Sequence, residues 1–527
     1  MNRILLRQGS IVDGTGTPPR PGSLLVEGDV LLDVLPPDAE VDAEVVDVAG
    51  LTLTPGFVDM HSHSDLHLLS SDLNEAKLLQ GVTTEVIGQD GLSYAPVSAE
   101  SLAHLADQLA GWNGRRPDLD WQWRSVADFL DRLDGSSVNV AFLVPHSTLR
   151  LLVVGSAARP ATPEEIEQMC TLLDEALSQG AVGLSAGLTY APGCYAETSE
   201  LIALCSVVAR HGGYYCPHHR NYGADVIGGY GECLDIAQES GVALHLAHTH
   251  LSFPANRNRL PELLDLLDSA PRRGIDLSFD AYPYLAGMST LASQLPSWAR
   301  EGSLRIQRAR LRNADDRRRI VRALAEEGSD GHQGLPLDWD TIVVADVGTA
   351  APWRWAVGRS LTEVAERLQS DPAEATLDLI ADSDLAATCI MHFGIEEHVR
   401  ALMQHPAHTV GSDGILEGAR PHPRGWGSFA RILGPYVREL GVLELPEAVR
   451  HMTSSATDRL GQRGRGRLLP GRRADIVAID PAVISDRATY DRPRTPAVGV
   501  RHVLVNGRFA VRDGHVTGIR AGRVLTP

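Results

Sequence analysis

The sequence predicts an α/β protein whose long middle region forms a parallel sheet or a (β/α)₈ barrel, with a β-rich domain beside it. Two observations support this prediction. Through the middle of the chain, apolar runs of strand length alternate with helix-length segments, which is typical of repeated βα units. Both ends instead carry short strands that alternate apolar and polar residues between Gly, Asp and Pro. A chain of 527 residues suits one large barrel with an accessory domain.

The two ends of the chain have the same β pattern. Residues 1–54 contain "RILLRQGSIVDG" and "GSLLVEGDVLLDVLP", and residues 461–527 contain "ADIVAID" and "VRHVLVNGRFAVRDGHV". Period-two alternation of this kind indicates strands with one buried face. We therefore expect the two ends to combine into one β-sandwich around the middle region.

Residues 55–460 have the pattern expected of the βα region. The apolar run "VNVAFLVPHS" precedes the helical segment "TPEEIEQMCTLLDEALSQG". In that segment Thr162 is placed to cap the helix, and Glu165 follows three residues later, as in a capping box. The Arg-rich stretch "RIQRARLRNADDRRRIVRALAEE" interrupts the alternation and predicts an inserted helical lobe at about 291–346.

Composition restricts the class of protein. The formal net charge of −19 argues against a nucleic-acid partner, because binding phosphates requires a basic surface. No apolar run reaches the roughly 18 residues that a membrane span needs, and the N-terminus lacks a secretory pattern. We therefore expect a cytoplasmic protein with a small-molecule partner; the oligomeric state is not indicated. No CxxC pair occurs, which predicts reduced thiols at six positions: Cys170, Cys194, Cys205, Cys216, Cys233 and Cys389.

Histidines and carboxylates follow several of the apolar runs. In "TPGFVDMHSHSD", His61, His63 and Asp65 occupy alternate positions, so their side chains can share one face where the strand ends. Three further residues, His218, His248 and Asp413, also lie at predicted strand ends. In a barrel the carboxyl ends of the strands form the active face. Imidazoles and carboxylates that converge there predict a site for Zn²⁺ or a similar borderline cation.

Longer motifs resemble one known family. They are "GSIVDGTGTPP", "TPGFVDMHSHSD", "NVAFLVPHSTLR", "GAVGLSAGLTYAPGCYAET", "HHRNYG", "DAYPYLAG", "TVGSDG", "RPHPRGWGSFARILG" and "MTSSATDRLG…GRGRLLPGRRADIVAID". Together they span nearly the whole chain. The sequence is identified as resembling the amidohydrolase superfamily and, within it, the N-acyl-D-amino-acid deacylase (D-aminoacylase) family.

The resemblance implies a (β/α)₈ barrel with a β-sandwich and an inserted lobe. It also implies a Zn²⁺ held by histidines of the fifth and sixth strands, which match His218 and His248. The pair His61 and His63 matches a second, often weaker metal position. Asp413 matches the aspartate that shuttles protons at the end of the eighth strand.

One loop departs from the family pattern. The family has a "GNCG" loop with a metal-binding cysteine after the second strand, whereas this chain has "GQDG", with Asp90 at that position. Other amidohydrolases bridge two metals with a carboxylated lysine. Lys77, the single lysine among 48 basic residues, lies in the helical segment before that strand and is poorly placed for this role. We expect Asp90 to ligate or bridge the metal; the alternative is that it only forms hydrogen bonds. Without a thiolate, Mn²⁺ or Co²⁺ could replace zinc, and one or two ions could bind.

Six residues are candidates for contact with the substrate. The family usually has a lysine two residues after the sixth-strand histidine, where this chain has His250. Tyr190, Tyr282 and Ser289 match positions that contact the amino-acid part of the substrate. Two arginines remain, Arg220 and Arg424, and each can bind a carboxylate with a bidentate fork or form a structural ion pair.

We therefore expect a metal-dependent hydrolase that cleaves the amide bond of N-acyl-D-amino acids or a related acylated D-residue. The cation would acidify water and polarise the carbonyl, and Asp413 would act as general base and acid. One alternative is a cyclic-amide hydrolase of the hydantoinase or dihydroorotase type, which the lack of a suitably placed lysine disfavours. Another is a divergent biosynthetic family member with altered chemistry or a binding role.

Overall fold

The computed structural model describes residues 3–70 and 73–527. Its centre is a barrel of eight parallel strands, each adjacent to the next one along the chain. The strands are Phe57–Asp59, Val82–Ile87, Asn139–Pro145, Gly183–Gly187, Tyr214–His218, Ala243–Leu246, Leu277–Ala281 and His408–Val410. The amide of Met60 donates to the carbonyl of Val410 at 3.0 Å and that of Asp413 to the carbonyl of His61 at 2.8 Å, which joins the eighth strand to the first. The predicted (β/α)₈ barrel is confirmed.

Helices surround the barrel strands and cover their outer faces. The helix Pro163–Ser178 begins as predicted: the Thr162 hydroxyl accepts from the Glu165 amide at 3.3 Å, and the Glu165 carboxylate accepts from the Thr162 amide at 2.8 Å. This reciprocal pairing satisfies two free amides at the helix start. The α-helices are Glu75–Leu78, Ala99–Gln108, Ala110–Asn113, Val126–Leu133, His146–Val153, Pro163–Ser178, Thr198–Arg210, Val226–Ser240, Leu260–Ser269, Leu304–Arg312, Ala314–Arg322, Leu361–Leu368, Pro372–Asp382, Glu396–Met403, Arg424–Arg431, Leu445–Met452 and Ser454–Arg459.

The two ends of the chain combine into one β-domain, as predicted. The strand Thr52–Pro55 pairs antiparallel with Ile476–Ile479, which links the N-terminal strands to the C-terminal ones. Apolar side chains from both ends, among them Leu24 and Leu504, form a core separate from that of the barrel. Within the described residues the sheet has nine strands: Arg3–Ile11, Arg20–Glu27, Val30–Leu35, Glu44–Asp47, Thr52–Pro55, Ile476–Ile479, Val500–Val505, Arg508–Arg512 and His515–Val516.

The predicted inserted lobe is present, and the structure places it between the seventh and eighth barrel strands. Besides helices it contains an antiparallel sheet of three strands, Ala286–Thr290, Ile342–Asp346 and Thr388–His392. Its separate apolar core contains residues from Leu291 to Cys389, so the core extends beyond the lobe end predicted at about residue 346. The domain boundaries drawn from the sequence (1–54, 55–460 and 461–527, with the lobe at about 291–346) remain predictions.

Two other predictions concern the whole chain. The six cysteines are all unpaired. Among the described residues, no helix combines the length and the apolar character that crossing a membrane requires.

Lys77 is buried and holds together three parts of the barrel. Its ammonium lies 2.5 Å from Asp59, 3.3 Å from Glu85 and 2.7 Å from the Ser412 hydroxyl. These partners belong to the first and second strands and to the loop after the eighth. The amine is therefore engaged in a structural ion pair, in agreement with the expectation that it does not bridge metals.

Lys77→Met should lower the free energy of unfolding by about 3–5 kcal/mol, because it leaves two buried carboxylates without their cation. Arg3→Met, which removes the exposed pair between Arg3 and Glu27, is the matched control and should change it by about 0–1 kcal/mol. Urea unfolding of both variants measures the difference. A similarly small effect for both would show that the Lys77 network adds little stability.

Candidate metal centre and substrate pocket

His61 and His63 follow the first strand and contribute to the cluster at the barrel mouth. The alternate residues Ser62 and Ser64 point the other way, and their hydroxyls bond the Glu85 carboxylate at 2.8 and 2.9 Å. Both imidazoles are buried. The alternation predicted from the sequence thus separates metal-type ligands from structural hydroxyls. Asp65 does not join the histidines: its carboxylate accepts from the Ser93 hydroxyl at 2.5 Å and the Gly88 amide at 3.2 Å.

The other predicted site residues lie at four more strand ends. His218 is the last residue of the fifth strand, while Asp90, His248 and Asp413 lie in the loops after the second, sixth and eighth strands. These three loop residues have positive φ values of 55°, 26° and 48°, a region that side-chain-bearing residues rarely adopt. Such backbone conformations persist where the surrounding structure imposes them, often at functional sites.

Asp90 lies between the two pairs of histidines. Its Oδ1 atom is 3.5 Å from His61 Nε2 and 3.5 Å from His248 Nε2. Its Oδ2 atom is 3.6 Å from His63 Nε2 and 3.5 Å from His218 Nδ1. Two groups with metal-ligand geometry therefore share this carboxylate: one contains His61, His63, Asp90 and Asp413, and the other Asp90, His218 and His248.

The donor atoms fit a cation. Both ring nitrogens of His61 and Oδ1 of Asp90 are buried, and none has a hydrogen-bond partner within residues 3–70 and 73–527. Buried polar atoms without partners are rare in folded proteins, so this cluster fits a bound ion. The donors are imidazole nitrogens and carboxylate oxygens with no sulfur, which suits Zn²⁺ and also Mn²⁺ or Co²⁺.

The electrostatics of the site favour a cation as well. Burial raises the pKa of the Asp90 carboxyl, but His218, His61 and His248 outweigh it and hold that pKa well below its usual range. Burial lowers the pKa of His61, yet the carboxylates of Asp280 and Asp90 raise it to about 9. The site is thus rich in negative charge that a positive ligand can neutralise.

Asp413 contacts both the histidines and an arginine. Its Oδ1 is 3.2 Å from His63 Nε2, and its Oδ2 is 2.7 Å from Nη1 of the buried Arg424. Burial raises the pKa of Asp413, but Arg424 and the imidazoles outweigh it and lower that pKa below its usual value. Asp413 is therefore an ionised carboxylate at neutral pH, as a general base must be.

Sequence reasoning missed Asp280, which lies beneath the metal-type ligands in the seventh strand. Its Oδ2 is 3.6 Å from His61 Nδ1 and 3.2 Å from His245 Nε2, and its Oδ1 accepts from the His248 amide at 3.0 Å. A carboxylate in this position orients ligand histidines. A Cβ on Gly411 would come within 2.4 Å of this carboxylate, so the position directly after the eighth strand requires glycine. The position of Asp280 in the "DAYPYLAG" motif, at a strand end, was the available signal.

We expect Asp280→Asn to weaken metal binding by about 10–100-fold, because an amide holds the His61 ring less firmly than a carboxylate does. Competition with a chromophoric chelator measures the affinity. Asp276→Asn is the control, since that exposed residue pairs with Arg459 and not with a histidine of the site. Equal affinities in all three proteins would remove Asp280 from the support of the site.

Five of the six predicted substrate contacts line one pocket next to these ligands. They are Tyr190, His250, Tyr282, Ser289 and Arg424. The Tyr190 hydroxyl lies 3.3 Å from that of Ser289, and the Arg424 guanidinium lies 4.6 Å from the centre of the Tyr282 ring.

Arg220 lies apart from this pocket. Its guanidinium bonds both oxygens of Glu232, at 2.9 and 3.0 Å, and also the carbonyl of Ala196. These contacts correspond to the structural ion pair that the sequence left open as an alternative. Trp112 and Tyr222 also line the pocket but were not among the predicted contacts, although Tyr222 lies in the "HHRNYG" motif.

His250, the residue in place of the family's lysine, is held between two aromatic rings. Its ring stacks on Tyr222 at 5.0 Å and on Phe393 at 5.1 Å, with interplanar angles of 17° and 12°. Its Nδ1 donates to the carbonyl of His248. A flexible ammonium is thereby replaced by a fixed aromatic wall.

Comparison with known proteins agrees with this geometry. A D-aminoacylase of Alcaligenes xylosoxydans xylosoxydans is 35% identical over 99% of this chain and 97% of its own length. A D-aminoacylase structure described for the functional role of its binuclear metal center is 32% identical, with a TM-score of 0.84 and 99% of both chains covered. The N-acyl-D-glutamate deacylase of Bordetella bronchiseptica, complexed with zinc and a phosphonate inhibitor, is 31% identical, with a TM-score of 0.83 over 99% of both chains.

The barrel and the carboxylate shared by two histidine pairs define a hydrolase of the metal-dependent barrel class. The model of the amidohydrolase family matches residues 44–511. The chain belongs to the amidohydrolase family.

Proposed function

We propose that this protein hydrolyses the amide bond of N-acyl-D-amino acids, or of a related small acylated D-residue. The observation that carries the proposal is Asp90, shared by two histidine pairs at about equal distances, beside an ionised Asp413. The full-length similarity to D-aminoacylase and N-acyl-D-glutamate deacylase supports the substrate class.

We assign the metal ligands to two positions. His218, His248 and Asp90 would hold one ion, and His61 and His63 with Asp90 would hold a second. When bound, a divalent cation supplies Lewis acidity, which polarises an amide carbonyl and makes water a stronger acid. We propose zinc as the ion, with Mn²⁺ or Co²⁺ as functional substitutes, because the ligand set lacks sulfur.

The protein's own groups would handle protons and orientation. Asp413 would accept a proton from water and deliver it to the leaving amine, since its carboxylate is ionised and faces the histidines. Arg424, beneath Asp413 and against Tyr282, would attract the carboxylate of the substrate, assisted by Tyr190 and Ser289. His250 cannot supply the charge of a lysine, so carboxylate binding would rest on Arg424.

Two other functions predict different outcomes. A cyclic-amide hydrolase would open hydantoin or dihydrouracil, but Lys77 is paired with Asp59 and Glu85 and does not supply a bridging carbamate. A divergent biosynthetic or binding protein would show no hydrolysis. The retained cluster of His218, His248 and Asp413 favours a catalyst. Location in the cytoplasm remains a prediction from the sequence.

The test is an assay of amine release from N-acetyl-D- and N-acetyl-L-amino acids, with hydantoin and dihydrouracil in parallel. We expect hydrolysis of D-substrates alone, loss of activity with a chelator, and recovery with Zn²⁺, Mn²⁺ or Co²⁺. Ring opening of the cyclic amides without deacylation would favour the first alternative. A protein that retains metal and hydrolyses none of the panel would favour the second.

A further inference from the structure

One wall of the substrate pocket is polar but uncharged. It is formed by Ser252, Gln294, His332 and Gln333, which line the same pocket as His218 and Asp413. His332 and Gln333 belong to the inserted lobe. Among the lining residues that the structure describes, Arg424 is the single lysine or arginine, and it is paired with Asp413. We call the four residues Ser252, Gln294, His332 and Gln333 the neutral wall.

Hydrogen bonds connect the neutral wall to the proposed contacts for the amino-acid part of the substrate. The Tyr190 hydroxyl lies 3.3 Å from the Ser289 hydroxyl, which in turn lies 3.3 Å from the Ser293 hydroxyl. The Gln294 amide nitrogen donates to the Ser293 hydroxyl at 2.9 Å, and its carbonyl accepts from His332 Nδ1 at 2.6 Å. A substrate held by Tyr190 and Ser289 would thus extend its side chain along this row.

The bonds fix which polar groups remain for a ligand. Since Nδ1 of His332 donates to Gln294, the neutral ring carries a lone pair on Nε2 and accepts there. Burial lowers the pKa of His332 to about 4, which keeps the ring neutral at pH 7. The side-chain oxygen of Gln333 accepts from the Tyr222 backbone amide at 3.0 Å, which leaves the side-chain NH₂ group of Gln333 as a donor.

A buried hydroxyl gives an independent indication of a ligand. Ser252 is 1% exposed, lines the pocket, and its Oγ has no partner within the described part of the chain. Leaving such a group unpaired costs about 1–3 kcal/mol. The adjacent Phe253 has a φ of 70°, unusual for a bulky residue, and its ring lies 5.1 Å from that of His332.

We propose that the neutral wall binds a side-chain carboxamide, so that the substrate is an N-acyl-D-amino acid of the D-glutamine or D-asparagine type. This inference rests on the proposed function. A carboxamide donates to an acceptor such as His332 and accepts from donors such as Gln333 and Ser252. A carboxylate of the same shape can only accept; it would face the lone pair of His332 without a cation to neutralise it.

The experiment compares kcat/KM for the N-acetyl derivatives of D-glutamine, D-glutamate and D-methionine with the metal-loaded protein. We expect kcat/KM for the D-glutamine derivative to exceed that for the D-glutamate derivative by at least ~10²-fold and that for the D-methionine derivative by about 10-fold. The reason is that a site built to bond polar groups rejects analogues that leave those groups unpaired. His332→Phe and Gln294→Leu should each lower the ratio of D-glutamine to D-methionine by about 10-fold. His392→Phe, on an exposed lobe position outside the pocket, is the control and should keep the ratio.

Equal kcat/KM values for the D-glutamine and D-glutamate derivatives would overturn the proposal that the neutral wall binds a carboxamide. An unchanged ratio of D-glutamine to D-methionine in both pocket variants would overturn it as well. Hydrolysis of the D-methionine derivative without preference for the carboxamide would overturn the proposal of carboxamide binding but leave the proposed function standing. Failure to hydrolyse any of the three would overturn both.

Discussion

Asp413→Asn is expected to lower kcat by at least ~10², the usual size of the loss when a general base is removed. Asparagine preserves the shape of the side chain but cannot accept a proton from water. The Arg424 guanidinium, whose Nη1 lies 2.7 Å from Oδ2, can keep its contact with the amide oxygen. We therefore expect the fold and the metal content to remain close to those of the parent. Steady-state kinetics with elemental analysis measures both quantities.

Asp65→Asn is the matched control for Asp413→Asn. Asp65 is also a buried carboxylate near the histidines, but it bonds Ser93 and Gly88 and takes no part in the ligand groups. Its replacement removes the same charge and keeps an acceptor oxygen. We expect turnover within about 3-fold of the parent, far from a general-base effect. Near-normal turnover of Asp413→Asn would remove Asp413 from the mechanism.

Asp90→Ala is expected to have the largest effect on the metal centre. Because Asp90 belongs to both ligand groups, its loss takes a carboxylate from each position at once. A catalytic site with three protein ligands cannot easily lose one, so the variant should retain well under one ion per chain after dialysis, and kcat should fall by at least ~10². Elemental stoichiometry and activity after addition of each ion measure the two effects.

Two further substitutions at this position separate charge from coordination. Asp90→Cys should bind a single zinc tightly and lose its tolerance for Mn²⁺, because a thiolate is a softer ligand. Asp90→Asn keeps one neutral oxygen and should bind metal between the levels of the parent and the alanine variant. If Asp90→Ala binds metal and turns over like the parent, Asp90 is a loop residue that only forms hydrogen bonds.

Three features could be predicted because each depends on residues that are neighbours in the sequence. They are the capping box of Thr162 and Glu165, the βα alternation and the β pattern of both ends. Strand-end positions also identified His61, His63, His218, His248 and Asp413 as a converging set, since parallel strands bring their carboxyl ends to one face. The resemblance to a family added the prediction that Asp90 of the "GQDG" loop ligates the metal.

The sequence by itself thus determined the barrel, the terminal β-domain and the residue types that meet at the barrel mouth. Only the tertiary structure decided that Asp90 lies between both histidine pairs and that Asp280 supports His61 from below. It also decided that Arg220 pairs with Glu232, and that His332 of the inserted lobe reaches the pocket. The physical reason is that local periodicity fixes the direction of a side chain, whereas its partner is chosen by packing between distant segments, as for Lys77 and Ser412, 335 positions apart.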